Sequence, residues 1–85
     1  MEVEYDFPVS EYMKEKIFGG ITIYKSNRSW LGILKTKDGR IRLYKWIKRG
    51  DQWKVDLARF DITDIWKKIS EAIEFLNSIP VKTKE

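Results

Sequence analysis

The sequence predicts an α+β fold: a four-stranded antiparallel sheet followed by a C-terminal amphipathic helix, with a short strand-and-helix segment at the N-terminus. Three observations predict it. Apolar residues alternate at period two through most of residues 21–60, the spacing of strands with one buried face. Asp38-Gly39 divides the longest alternating stretch, Trp30–Lys48, and Asp-Gly accommodates the positive φ angles of a tight hairpin turn. Beyond Asp61 the period becomes helical, with Ile65, Ile69, Ala72, Leu76 and Ile79 recurring at spacings of four and three. The 85 residues are read as one domain, divided into an N-terminal arm and short helix (1–20), a sheet (21–60), a helix (61–79) and a solvated tail (80–85).

In chain order, Val3, Tyr5, Phe7 and Val9 alternate with Glu2, Glu4, Asp6 and Pro8, which fits either a short edge strand or an extended arm lying on the body. Ser10 is placed to cap a short helix reaching Phe18, with Gly19 as its left-handed stop and Gly19-Gly20 as a hinge. Ile21–Lys25 is the first strand, and Ser26–Ser29 is a polar connection. A two-residue turn at Asp38-Gly39 pairs Lys37 with Arg40, and then Thr36 with Ile41, Leu34 with Leu43 and Gly32 with Lys45. That register gathers Trp30, Leu34, Ile41, Leu43 and Ile47 on a core face. The opposite face receives Leu31, Ile33, Lys35, Lys37, Arg40, Arg42, Tyr44, Trp46 and Lys48. At Lys48–Asp51 a three-residue bulged loop with Gly50 left-handed is expected, sending Trp53, Val55 and Leu57 to the core and setting Arg42 opposite Asp56. Arg49-Gly50-Asp51 is read as loop chemistry. The final helix has an apolar arc of about half its circumference, which fits either a helix packed deeply on the sheet or one with one flank on the sheet and the other on a second copy. Pro80 ends it.

Composition narrows the function. There is no cysteine or histidine, so neither a disulfide framework nor the commonest zinc ligand and general base is present. No apolar run is long enough to span a membrane and the first residues are acidic, so an intracellular, cytoplasmic protein is expected, nucleoid-associated if it binds DNA. Abundant charge with few amides resembles the composition of thermophile proteins. A domain this small has a modest core, and a homodimer is expected to add burial, with Trp66, Ile69, Ile73 and Leu76 at the interface.

The net charge of +4 is concentrated in the sheet. Residues 21–59 carry eleven Lys/Arg against three acids, whereas residues 1–20 carry two against five and residues 60–85 four against five. A basic sheet between acidic flanks is the footprint of a polyanion binder. Tyr24, Lys35, Lys37, Arg40, Arg42, Tyr44, Trp46, Lys48 and Lys54 are the candidate contacts with single-stranded nucleic acid, the cations for phosphates and the rings for unpaired bases. A competing placement puts Tyr44 and Trp46 with Leu31 and Ile33 in a second core beneath the N-terminal segment. The competing function is a non-catalytic protein-interaction module or small subunit of a larger complex.

No catalytic residue, metal ligand, cofactor or small-molecule substrate is expected. Asp38 and Asp51 occupy turns, Asp61 and Asp64 are read as helix caps, and Asp56 as facing an Arg across the strands. No phosphate-binding glycine loop or paired acid and base is evident in the sequence.

The run Ile41-Arg42-Leu43-Tyr44-Lys45-Trp46, with Trp66 entering the helix, resembles the corresponding strand and helix junction of the positive-cofactor-four transcriptional coactivators and the related Whirly proteins. The resemblance spans Ile21 to Ile79 and is mainly architectural. It implies a dimer joined through its helices, a sheet that presents a groove to single-stranded DNA in preference to RNA, and a role in transcription or genome maintenance. On the matching strand it assigns DNA contact to Arg42, Tyr44 and Trp46. The chain departs from the family's Gly-Ile-x-Leu segment, having Ala58-Arg59-Phe60-Asp61-Ile62 before the helix, and its N-terminal segment is additional.

Overall fold

The structure, a computed structural model that describes residues 1–81, runs α1 (Glu11–Lys14), β1 (Ile17–Lys25), β2 (Ser29–Thr36), β3 (Ile41–Arg49), β4 (Gln52–Asp61) and α2 (Trp66–Ser78). The strands form one antiparallel sheet in the order β1-β2-β3-β4, each pairing with its sequence neighbour. The fold is α+β, a four-stranded antiparallel sheet followed by a C-terminal helix. Of the expected tail, residues 82–85 lie outside the described residues.

The β2–β3 turn is one residue longer than expected. Gly39 N donates to the Thr36 carbonyl at 2.9 Å and Thr36 N to the Arg40 carbonyl at 2.8 Å, closing a three-residue loop. Gly39 takes the left-handed position at φ 93°. The buried Thr36 side chain holds the loop, accepting from Arg40 N at 2.9 Å and donating to the Asp38 carboxylate. The register therefore pairs Gly32 with Tyr44, Leu34 with Arg42 and Lys35 with Ile41, correcting the pairs Gly32–Lys45, Leu34–Leu43 and Thr36–Ile41. A one-residue slip exchanges the faces of one strand relative to the other. Trp30, Gly32 and Leu34 thus share a face with Arg42, Tyr44 and Trp46. Leu31 and Ile33 share the opposite face with Leu43, Lys45, Ile41 and Ile47.

The β3–β4 loop is shorter than expected. Gly50, at φ 61°, and Asp51 form a two-residue loop closed by the Arg49–Gln52 pair. Trp53 and Val55 accordingly join the face of Lys48 and Trp46. Arg42 lies opposite Asp61 rather than Asp56, and Asp56 meets Lys45 at 3.5 Å. Between Leu43 and Trp46 the ladder shifts register twice, and Arg59 in the resulting irregularity has φ 56°.

The N-terminal arm crosses the face carrying Tyr44 and Trp46. It is tied to β1 by two backbone hydrogen bonds between Glu4 and Gly20, at 2.8 and 2.9 Å, and by the Glu4 carboxylate, which accepts from Thr22 N at 2.9 Å. Ser10 caps α1 by accepting from Met13 N at 3.3 Å, but the helix ends at Lys14 because residues from Ile17 onward enter the sheet. Gly19 and Gly20, expected as a helix stop and hinge, are strand residues that permit close approach. A Cβ on Gly20 would stand 2.4 Å from the Ile33 carbonyl oxygen. Phe7 is inserted by the arm into a cluster with Trp30, Leu34, Tyr44 and Trp46, and this cluster is the core.

The helix α2 begins at Trp66, later than expected, because Asp61 finishes β4 and Ile62 N donates to the Ile41 carbonyl at 2.9 Å. Asp61 and Asp64 do not cap it; both bind Arg40. It ends before Pro80, with Ile79 already extended. The expectation that this helix covers a sheet face is corrected: no residue of α2 is buried, and the sheet face bearing Ile33 and Leu43 is left without it. The molecule is consequently elongated, with extents of 49 × 34 × 22 Å. Its radius of gyration, 15.5 Å, exceeds the roughly 12 Å of a compact chain of this length.

Candidate nucleic-acid interface

The shifted register divides the candidate contacts between the two faces. Arg42, Tyr44, Trp46 and Lys48 lie on the arm side, while Lys35 and Lys54 lie opposite with Tyr24, which pairs with Leu31. Lys37 belongs to the β2–β3 loop, and Arg40 closes that loop.

Tyr44 and Trp46 are 2% and 0% exposed, which corrects their placement on an open stacking platform. Trp46 lies between aromatic neighbours, with centroids 5.8 Å from Phe7, 5.4 Å from Trp30 and 5.5 Å from Tyr44. Their burial beneath the N-terminal segment follows the competing placement, except that their cluster partners are Trp30 and Leu34 in place of Leu31 and Ile33. Tyr24 does present an exposed ring.

Arg40 and Asp61 tie the hairpin loop to the end of β4. Arg40 Nε donates to Asp61 Oδ2 at 2.8 Å and Nη2 to Oδ1 at 3.0 Å, with Nη2 also reaching Asp64 at 3.2 Å. The guanidinium and the Thr63 hydrogen bonds hold the Asp61 carboxyl well below the usual carboxylate range. Arg40 is therefore engaged in structure, and Lys45 shares that condition through Asp56.

The remaining cations on the arm side have no acidic partner within salt-bridge distance among the described residues. They frame the aromatic cluster. At one end Lys25 Nζ sits 3.7 Å from the Trp30 ring centroid and Lys48 Nζ 5.4 Å from that of Trp53. At the other, Lys16, Lys37 and Arg42 line a cleft of about 330 Å³ with Thr36, Glu15 and Asp38. Lys16 and Lys25 were absent from the sequence-derived set. Their contribution depends on where the arm and β1 lie, although Lys25 had a local signal in the strand pattern beginning at Ile21.

Three polar atoms on the arm-side face are buried without a hydrogen-bond partner: Arg42 Nε beside the cluster, and Tyr44 Oη and Trp46 Nε1 within it. Burial pushes the Tyr44 phenol pKa up, opposed by the nearby positive charges of Arg42 and Arg59.

The expected interface residues Trp66, Ile69, Ile73 and Leu76 are all exposed along α2, Leu76 at 66%. Among the described residues no group of three acidic side chains is placed to hold a metal ion, and no helix is long and apolar enough to cross a membrane. Comparisons with protein-family models, with curated proteins and with solved structures return no match for this chain.

Proposed function

We propose that this chain is a non-catalytic, single-stranded nucleic-acid-binding protein that acts as a homodimer. The observation that carries the reading is a set of cations without an acidic partner: Lys25, Lys48 and Arg42 on the arm-side face, with Lys16 and Lys37 at the cleft beside Arg42. Lone cations around this buried aromatic cluster attract phosphates and release condensed counterions, and the half-buried Trp53 ring at its edge offers a face to an unpaired base. The resemblance to the positive-cofactor-four coactivators favours DNA over RNA and a role in transcription or genome maintenance.

The dimer part of the proposal rests on two apolar surfaces that lack a cover. One is the stripe Trp66, Ile69, Ile73 and Leu76; the other is the sheet face bearing Ile33, Leu43 and Phe60. A helix of 13 residues is marginal by itself in water, so its stability calls for packing. A second copy supplies a helix and a sheet face together, and a two-fold axis satisfies both.

Titration of a labelled fifteen-residue oligothymidylate, followed by anisotropy at several salt concentrations, tests the binding. Affinity should fall steeply with salt, and Arg42→Ala and Lys37→Ala should each reduce the slope of log K against log salt by about 0.7. Absent or salt-independent binding to both DNA and RNA strands would overturn the proposal. The second reading is a protein-interaction module, favoured by the enclosure of Tyr44 and Trp46 and by the open helix stripe. It predicts no oligonucleotide binding and a stable complex with another chain.

A further inference from the structure

The cleft between the turn after α1 and the β2–β3 loop gathers charge that the fold does not use. It measures about 330 Å³ and is lined by Glu15, Lys16, Thr36, Lys37, Asp38 and Arg42. Backbone hydrogen bonds fix its walls. Lys16 N donates to the Met13 carbonyl at 2.9 Å, and the Lys16 carbonyl accepts from Lys37 N at 2.9 Å. Two lysines from distant parts of the chain are thereby held side by side, and Arg42 adds a third cation.

Like charges brought together repel unless something neutralises them. Among the described residues, none of the three has an acidic partner within salt-bridge distance. Lys16 Nζ lies 4.9 Å from the Tyr12 ring centroid, a cation–π contact. Arg42 Nε is enclosed without an acceptor, so this guanidinium has lost water on one side and gained no hydrogen bond there. The enclosed Nε does not reach a ligand, but an anion in the cleft compensates the charge of the group.

The two carboxylates decide which anion fits. Asp38 stays ionised, held below the usual carboxylate range chiefly by the hydrogen bond from the Thr36 hydroxyl, with the Arg42 charge adding to it. Three cations against Asp38 and Glu15 leave the cleft with a net positive charge. A strand running through it would bring successive phosphates against both carboxylates, whereas one terminal phosphate does not. A terminal monoester also carries about −1.5 to −2 charge at neutral pH, more than an internal diester. Thr36 and Lys37 further line an adjoining hollow of about 230 Å³ with Phe18 and Lys35, where the exposed Phe18 ring offers the neighbouring base a face.

We infer that the cleft at Lys16, Lys37 and Arg42 receives the terminal phosphate monoester of a bound strand. The ammonium groups of Lys16 and Lys37 meet its oxygens, and the terminal base reaches the Phe18 ring. The inference rests on the nucleic-acid reading above and gives that reading a preference for strand ends.

Lys16→Ala is the direct test, because the exposed side chain makes no salt bridge and its removal leaves both backbone hydrogen bonds in place. Fifteen-residue oligothymidylates labelled on a central base, with hydroxyl ends or with a phosphate at one end or the other, are compared by anisotropy at one salt concentration. The wild type should bind a strand with a terminal phosphate about tenfold more tightly than the hydroxyl strand. In Lys16→Ala that ratio should fall below about threefold, with the melting temperature nearly unchanged. Lys48→Ala, at the opposite end of β3 from Arg42, should weaken both kinds of strand and keep the wild-type ratio. If a phosphate at neither end raises wild-type affinity while the hydroxyl strand still binds with a salt dependence, the cleft assignment is overturned and the broader reading stands. A ratio that Lys48→Ala lowers as much as Lys16→Ala places the terminal phosphate outside this cleft and overturns it too. Thymidine monophosphate binding as tightly as the phosphorylated strand makes the ligand a free ester and overturns the assignment to a strand end. If the wild type binds no strand, the broader reading fails and the strand-end inference fails with it.

Discussion

At the residue scale, Thr36, Arg40 and Asp61 settle how the hairpin closes. Thr36 is buried and bonds both Asp38 and Arg40, while Arg40 reaches Asp61 across to the end of β4. The ionised form of Asp61 is favoured by folding, since its pKa lies below the value of about 3.9 expected in the unfolded chain. Its contribution to stability is therefore present above about pH 4 and is lost as pH falls through the depressed native value. We expect Asp61→Asn to lower the urea midpoint at pH 7 and the difference from wild type to shrink towards pH 2. An equal difference at the two pH values would place the effect outside this ion pair. Asp38 titrates in the same direction but is present in both proteins, so the comparison isolates Asp61.

At the element scale, the alternation of β2 and β3 was legible, but their mutual register was not. Asp38-Gly39 fits either a two-residue or a three-residue turn, and the choice depends on Thr36, whose side chain completes the longer loop. The same limit applies to Gly50-Asp51, where the loop is shorter than expected. The arm's alternating pattern was visible, whereas Phe7 as a core residue required knowing which sheet face it crosses. Phe7→Ala should cost about 3–5 kcal/mol in denaturant unfolding, because it leaves a void against Trp30 and Trp46. Acrylamide should also quench tryptophan fluorescence more strongly in that variant. Unchanged quenching would mean that the arm does not shield Trp46.

At the scale of the whole molecule, the helix and sheet are present but the chain's own packing leaves α2 and one sheet face open. A surface substitution away from any contact changes stability by less than about 0.5 kcal/mol. Leu76→Glu should therefore be nearly silent in a lone chain, but should dissociate a dimer that uses this stripe. Sedimentation of wild type and variant at matched concentrations distinguishes them: we expect a dimer for the wild type and a monomer for Leu76→Glu, with loss of helix signal on dissociation. A wild type that remains monomeric at high concentration contradicts the proposed assembly.

The sequence by itself determined the α+β class, the two hairpins centred on Gly39 and Gly50, the C-terminal helix and the sheet's concentration of positive charge. Period, turn-forming residues and charge are local quantities, and Ser10, Pro80 and the helix spacing from Ile65 to Ile79 act within a few residues of themselves. Only the tertiary structure decided which face Tyr44 and Trp46 occupy, and which cations remain unpaired around them. The reason is the twofold alternation of a strand. One residue more or less in a loop reverses a face at no local cost, and the winning register is the one that lets Phe7, Trp30, Leu34, Tyr44 and Trp46 meet from three separate parts of the chain.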